Sequence, residues 1–269
     1  MGKSSAVLSE PGGIRVWRGF RSREFYKDRP GFDRLIGSVF VPHTAQQMYP
    51  LGLAAYFPTL LPEAFADTSS IRALCVPDEI ALVVYPSKAA YDQAVRNSVA
   101  GRAYGLLHWP MFNFKDPEIP KSQSSHPKKW CATCEFDIPY FLRPDTIDWH
   151  SGSTKLFVGL PPKNTDANKF LDEVSSHVNQ WLRLSNPNVV GSILCVSKHY
   201  VLLWEHYSNE DPCGSLMHSL DKLCDPVLVT KLATTVTVPP AFTMPDCGIS
   251  LNVGDIVDVR CPEPLLGRQ

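Results

Sequence analysis

At 269 residues, 44% hydrophobic and 20% charged, the chain holds enough apolar material for one large core or two smaller ones, which excludes global disorder. Lys plus Arg (26) balance Asp plus Glu (27), leaving a net charge of −1 and no general attraction for nucleic acid or anionic membrane. Met1 to Gly12 holds one Lys and no signal-like apolar run, and no stretch reaches the roughly eighteen apolar residues of a membrane span, so a cytoplasmic protein is expected. The eight cysteines (75, 131, 134, 195, 213, 224, 247 and 261) are then read as reduced, several of them as small buried hydrophobes.

The first predicted strand is Ile14 to Phe20, with Val16, Arg18 and Phe20 on one face and Arg15, Trp17 and Gly19 on the other. Phe32, Leu35, Ile36, Val39 and Phe40 then recur at helical spacing, and Pro42 is expected to end that helix. Leu51 to Phe57 and Glu79 to Tyr85 read as two further strands. Ser87 caps a second helix whose stripe is Ala90, Tyr91, Ala94, Val95 and Val99. From Asn113 to Ser153 periodicity is lost and proline recurs, which reads as a connector.

The same order then restarts. Lys155 to Leu160 is a strand, and Ala167, Phe170, Leu171, Val174, Val178, Trp181 and Leu182 form the clearest amphipathic stripe in the chain. Val189 to Val196 and Tyr200 to His206 are the next strand pair, and Asp211-Pro212 opens a short helix containing Leu216, Met217 and Leu220. In the tail, Thr235 to Val238 and Ile249 to Val259 are strand-like, with Gly254-Asp255 as a hairpin turn and sheet-edge cover as the expected role.

Strand, helix, strand, strand, helix thus occurs twice, which predicts an α+β fold of two tandem ferredoxin-like βαββα halves by internal duplication. The boundaries are 1–112 for the first half, 113–153 for the connector, 154–231 for the second half and 232–269 for the extension. Two such sheets packed face to face resemble the dimeric α+β barrel superfamily, here as a pseudo-dimer. The resemblance is one of architecture, over roughly 14–110 and 154–225. It implies an apolar barrel cavity, a small-molecule ligand, and oxygenation, cyclisation, isomerisation or elimination in biosynthesis, as by a lyase, an isomerase or a cofactor-independent monooxygenase. A haem-binding relative is also implied.

On that expectation the polar residues on strands become the site candidates. Trp204 and His206 share one face of their strand and Glu205 shares the other with Tyr207. His108 and His206 are the candidate proton-transfer groups, with Tyr85 and Glu205 beside them as catalytic candidates. Arg18 is an anion anchor, Trp17 and Trp204 shape the pocket, Tyr56 and Tyr104 donate hydrogen bonds, and His43 stands at an entrance. For each, the plainer alternative is a satisfied core or strand-end residue.

Cys131-x-x-Cys134 lacks the strand-then-helix context of a redox pair, and zinc would need His126 and His150 as further ligands. No nucleotide-binding, nucleophile-elbow or zincin motif occurs, so no cofactor is predicted, with haem or zinc as alternatives. The remaining readings are a non-catalytic binder of a hydrophobic metabolite or haem, and a protein-interaction module. No nucleic acid or membrane partner is expected, and a homodimer is compatible with the sequence.

Overall fold

The computed structural model describes residues 8–9, 11–61, 75–143, 147–149, 151–184, 188–208, 214–232, 250–251 and 259–260. After the two-residue strand β1 (Leu8–Ser9), β2 (Ile14–Gly19) leads into α1 (Arg29–Leu35), a π-helical stretch (Ile36–Phe40) and α2 (Val41–Met48). Pro42 therefore does not end the first helix. A proline cannot donate to the carbonyl four residues back and its ring crowds it, and the wider π turns just before it supply the room. Leu51-Gly52 then turns, with Gly52 at φ +97°, so the next strand, β3 (Ala55–Leu60), starts later than expected.

β4 (Glu79–Val84) is followed by α3 (Lys88–Tyr91), where Ser87 accepts from the Ala90 amide. A second π stretch (Asp92–Asn97) breaks at Ser98, which caps α4 (Val99–Leu106) by accepting from Gly101. That break turns Val99 outward, 75% exposed and off the buried stripe.

The segment read as a connector supplies strands to both sheets. β5 (Gln123–Ser125) pairs with β2, while β6 (Lys128–Lys129) and β7 (Pro139–Arg143) lie at the edge of the larger sheet. Asn113 holds the turn ahead of β5: its carbonyl oxygen accepts from the Asp116 amide and its NH2 donates to the Ile119 carbonyl. β8 (Ile147–Asp148) pairs with β1. Then come β9 (Ser153–Leu160), α5 (Ala167–Arg183) capped by Asp166, β10 (Val189–Val196), β11 (Val201–Tyr207), α6 (Met217–Leu220) and β12 (Asp225–Leu232).

Asp211-Pro212, Thr235 to Val238 and the Gly254-Asp255 turn lie outside the described residues. The tail strands β13 (Ser250–Leu251) and β14 (Val259–Arg260) pair antiparallel with each other. Among the described residues no helix is long and apolar enough to cross a membrane.

The fold is α+β with two main sheets, ordered β3-β4-β2-β5 and β12-β9-β11-β10-β7-β6. Counting strands from β2 and from β9, both contain the order fourth, first, third, second. One face of each sheet meets the other: Ile14, Val16, Phe57, Ile80 and Leu82 pack in one cluster with Leu156, Val158, Ile193, Leu202 and Trp204. Each of these is at most 1% exposed, and burying each aliphatic side chain contributes about 1.5–3 kcal/mol. The space between the sheets is thus occupied by side chains. Because side chains alternate along a strand, the opposite faces lie under the helices and carry the residues next in sequence.

Candidate functional site

The cavity of interest lies under the helices of the smaller sheet, not between the two sheets. It measures about 260 Å³, a little below the range of ligand pockets, which run from about 300 to 1,000 Å³. Its floor is the helix-facing side of the sheet: Arg15 and Trp17 from β2, Tyr56 from β3, and Val83 with Tyr85 at the end of β4. Phe40, Thr44 and Met48 form one wall, Tyr91 and Val95 another, and Tyr104, His108 and Trp109 come from α4 and the turn after it.

Beneath this floor sits Glu79, 1% exposed. One carboxylate oxygen accepts from Trp17 Nε1 at 2.9 Å and the other from Tyr56 Oη at 3.4 Å, and both donors line the cavity. No cation pairs with Glu79 among the described residues, whereas the preceding Asp78 is held by Arg21 at 3.0 Å and Arg29 at 2.8 Å. Burial without a counter-charge raises the Glu79 pKa to about 7, and the Trp17 and Tyr56 hydrogen bonds offset it only in part. The arrangement depends on Gly19, opposite Glu79 in the β2–β4 ladder. A Cβ there would stand 2.5 Å from the Phe112 ring and 2.8 Å from Trp17 Nε1.

His108 is walled by aromatic rings, with centroids 4.8 Å from Phe40, 4.9 Å from Tyr104 and 5.3 Å from Trp17. Its Nδ1 lies 3.3 Å from the Tyr104 carbonyl, which only accepts, so the neutral ring carries its proton on Nδ1 and a lone pair on Nε2. Desolvation lowers its pKa to about 4. Tyr104 Oη is 2.7 Å from Thr44 Oγ1, which itself donates to the Phe40 carbonyl, so Tyr104 donates to Thr44. Burial pushes the tyrosine pKa up and keeps this phenol protonated.

Trp17, Tyr56, Tyr85, Tyr104 and His108 therefore meet around one cavity, and the other sequence candidates lie elsewhere. Arg18 points between the sheets, where Nη1 approaches Asp137 Oδ1 and Cys195 Sγ, each at 3.4 Å, and Nη2 donates to Gln123 and Ser125. It clamps one sheet to the other. Trp204 and His206 share that inner face as strand parity required, but the face is packed solid. His206 Nδ1 accepts from Thr154 Oγ1 at 2.8 Å and Nε2–H donates to the Asp148 carbonyl at 3.0 Å, leaving no ring nitrogen for a ligand.

Glu205 faces the helices of the larger sheet beside a second hollow of about 300 Å³. Its oxygens are taken by Tyr207 at 2.6 Å, by Ser215 and by the Leu216 amide at 2.9 Å, so it ties the turn before α6 to β11. His43 is half-buried on α2 and does not line the cavity, although its neighbour Thr44 does.

Among the described residues no group of three or more His, Cys, Asp or Glu side chains gathers to hold a metal ion. Cys131 is exposed, Cys134 is buried 3.3 Å from Ser175 Oγ, and His126 is 3.0 Å from the Ile14 carbonyl. His150 lies outside the described residues.

Glu79, Arg15 and Thr44 escaped the sequence reading. An acidic residue opening an apolar strand ordinarily points to water. Glu79 does not, because its parity with Ala81 and Val83 places it under the helices, and that parity was the available signal.

No family model matches the chain, and no curated protein matches it. Among solved structures, a protein from Fusobacterium nucleatum subsp. nucleatum assigned provisionally as a monooxygenase aligns at 9% identity and a TM-score of 0.33, over 86% of this chain and 93% of that one. An anthrone oxidase-like protein aligns at 7% identity and 0.34, over 84% and 93%. A mutant chlorite dismutase from Candidatus Nitrospira defluvii aligns at 11% and 0.30, over 86% and 93%. At TM-scores of this size the likeness carries no weight for fold or chemistry.

Proposed function

We propose that the chain is an enzyme that moves protons on a small, largely apolar organic molecule held under the helices of the smaller sheet. Its scaffold is read as two ferredoxin-like halves in tandem, of the dimeric α+β barrel type, on the support of the repeated strand order. The observation that carries the reading is the pair of displaced acidities around one apolar cavity: His108 lowered to about 4 and Glu79 raised to about 7.

Near neutrality this inverts the ordinary roles. His108 is a neutral acceptor through Nε2, oriented by its Nδ1 bond. Glu79 holds a proton for much of the time; in that form it donates to the Tyr56 oxygen instead of accepting from it, which frees the Tyr56 hydroxyl proton for the cavity that Tyr56 lines. A substrate proton removed near His108 and one returned from Tyr56 give isomerisation, cyclisation or elimination with no further reagent. Oxygenation would need dioxygen as co-reactant. Tyr104 and Tyr85 stay protonated, because burial raises both, and serve as donors or as walls.

The test is to incubate the protein with a fractionated small-molecule extract of its host and follow each mass. Wild type should deplete one species and accumulate another, and H108F and Y56F should not. Equal conversion by all three proteins would refute the assignment. Binding without conversion would favour a non-catalytic carrier.

A further inference from the structure

Arg15 bears on the chemical class of the ligand. It is 8% exposed and lines the cavity four residues along β2 from Gly19, the partner of Glu79. Nε donates to Ser124 Oγ at 3.0 Å and Nη2 donates to the Ser124 carbonyl; no hydrogen bond from Nη1 forms among the described residues. Its guanidinium carbon stands 4.7 Å from the centre of the Tyr91 ring.

No carboxylate ion-pairs with Arg15 among the described residues. The other buried arginines do have one: Asp137 for Arg18, Asp78 for Arg21, and Asp33 with Asp78 for Arg29. A guanidinium does not shed its proton, so this is a cation in an apolar cavity held directly by a neutral serine and an aromatic face; the nearby carboxylate of Asp92 is itself paired with Arg96 at 3.2 Å, and the two act on Arg15 in opposite senses. An anion supplied by the ligand would complete it, because the planar fork matches a carboxylate.

We propose that the cavity selects a carboxylate-bearing ligand: its acid group faces Arg15, its apolar body lies over Trp17, and its far end reaches the Tyr56 hydroxyl. The proposal rests on the reading of this cavity as the ligand site. Arg15 and Tyr56 both stand opposite Val83, on the two strands that flank β4, so about 10 Å separates their backbones, and together with a volume of about 260 Å³ this suits a fused bicyclic acid better than a small aliphatic one.

The experiment is calorimetric titration of the whole chain with 2-naphthoate and with 2-naphthamide, its uncharged counterpart, using wild type, R15Q and R15K. Wild type should bind the carboxylate about ten- to a hundred-fold more tightly than the amide. R15Q should lose that preference while still binding the amide, and R15K should keep part of it. If R15Q does not fold, the wild-type comparison and R15K carry the test. Equal affinity for the two probes in wild type, or a preference that survives in R15Q, would overturn the role of Arg15 and leave the cavity reading standing. Binding of neither probe would overturn both.

Discussion

Replacing Glu79 by glutamine changes one buried carboxyl into a group of the same shape that cannot ionise. The amide oxygen can still accept from Trp17 Nε1 and the amide NH2 can donate to Tyr56 Oη, so the packing around the site is retained. In the wild type the folded carboxyl has its pKa raised by burial from 4.5 to about 7. Below pH 4.5 both folded and unfolded chains hold the proton, and the stability from this group is fully present. Between pH 4.5 and about 7 the unfolded chain releases the proton and the folded one retains it, so stability falls by about 1.4 kcal/mol per pH unit, levelling off above pH 7 at a loss of about 3 kcal/mol. The other titrating groups are common to both proteins and cancel in the difference. Urea unfolding at pH 4, 5, 6, 7 and 8 should therefore show E79Q gaining on wild type by about 3 kcal/mol from the lowest pH to the highest, with equal m-values. A difference that does not change with pH would refute the reasoning, because it would mean that Glu79 titrates in the folded protein as it does in the unfolded chain.

His108→Phe keeps the ring packing and removes the lone pair, so turnover should fall by about a hundred-fold or more while the melting temperature stays close to wild type. In wild type kcat/KM should fall below about pH 4, as His108 gains a proton, and above about pH 7, as Glu79 loses one; E79Q, with no carboxyl proton to deliver, should be slower at every pH and lack the alkaline limb. Gly19→Ala places a methyl against Phe112 and Trp17, so thermal unfolding should report a cost of about 1–3 kcal/mol, with activity falling as the Trp17–Glu79 bond is disturbed. Leu202→Ala opens a hole between the sheets, where Leu202 is 0% exposed, and should cost about 2–5 kcal/mol in denaturant titration while leaving KM unchanged.

Strand parity and helical stripes were legible from the sequence. The segregation of Val16 from Trp17, of Trp204 from Glu205, and the buried stripe Phe170, Val174, Val178 and Trp181 all appear in the structure. What parity could not supply was the choice of face. A barrel between two sheets was expected to be hollow, which made Arg18, Trp204 and His206 the natural candidates. Large side chains such as Phe57, Trp149 and Trp204 fill that space, and the opening lies on the other face, where Arg15, Trp17 and Glu79 point. The volume left after packing is a tertiary property that no window of sequence reports. Strands in the segment read as a connector were missed for a related reason: β5 is three residues long and is held to the first sheet by Ser122, whose hydroxyl bonds both the amide and the carbonyl of Phe20. The helix that runs through Pro42 depends on π turns, which leave no signature in hydrophobic spacing.

The most direct measurement is a crystal structure of the protein soaked with a neutral bicyclic aromatic such as 2-naphthol, because it asks where a small apolar molecule resides without assuming a reaction or a charge. The expected result is density over Trp17, between His108 and Tyr91, under the helices of the smaller sheet. Density between the two sheets beside Trp204, or none in either place, would contradict the account.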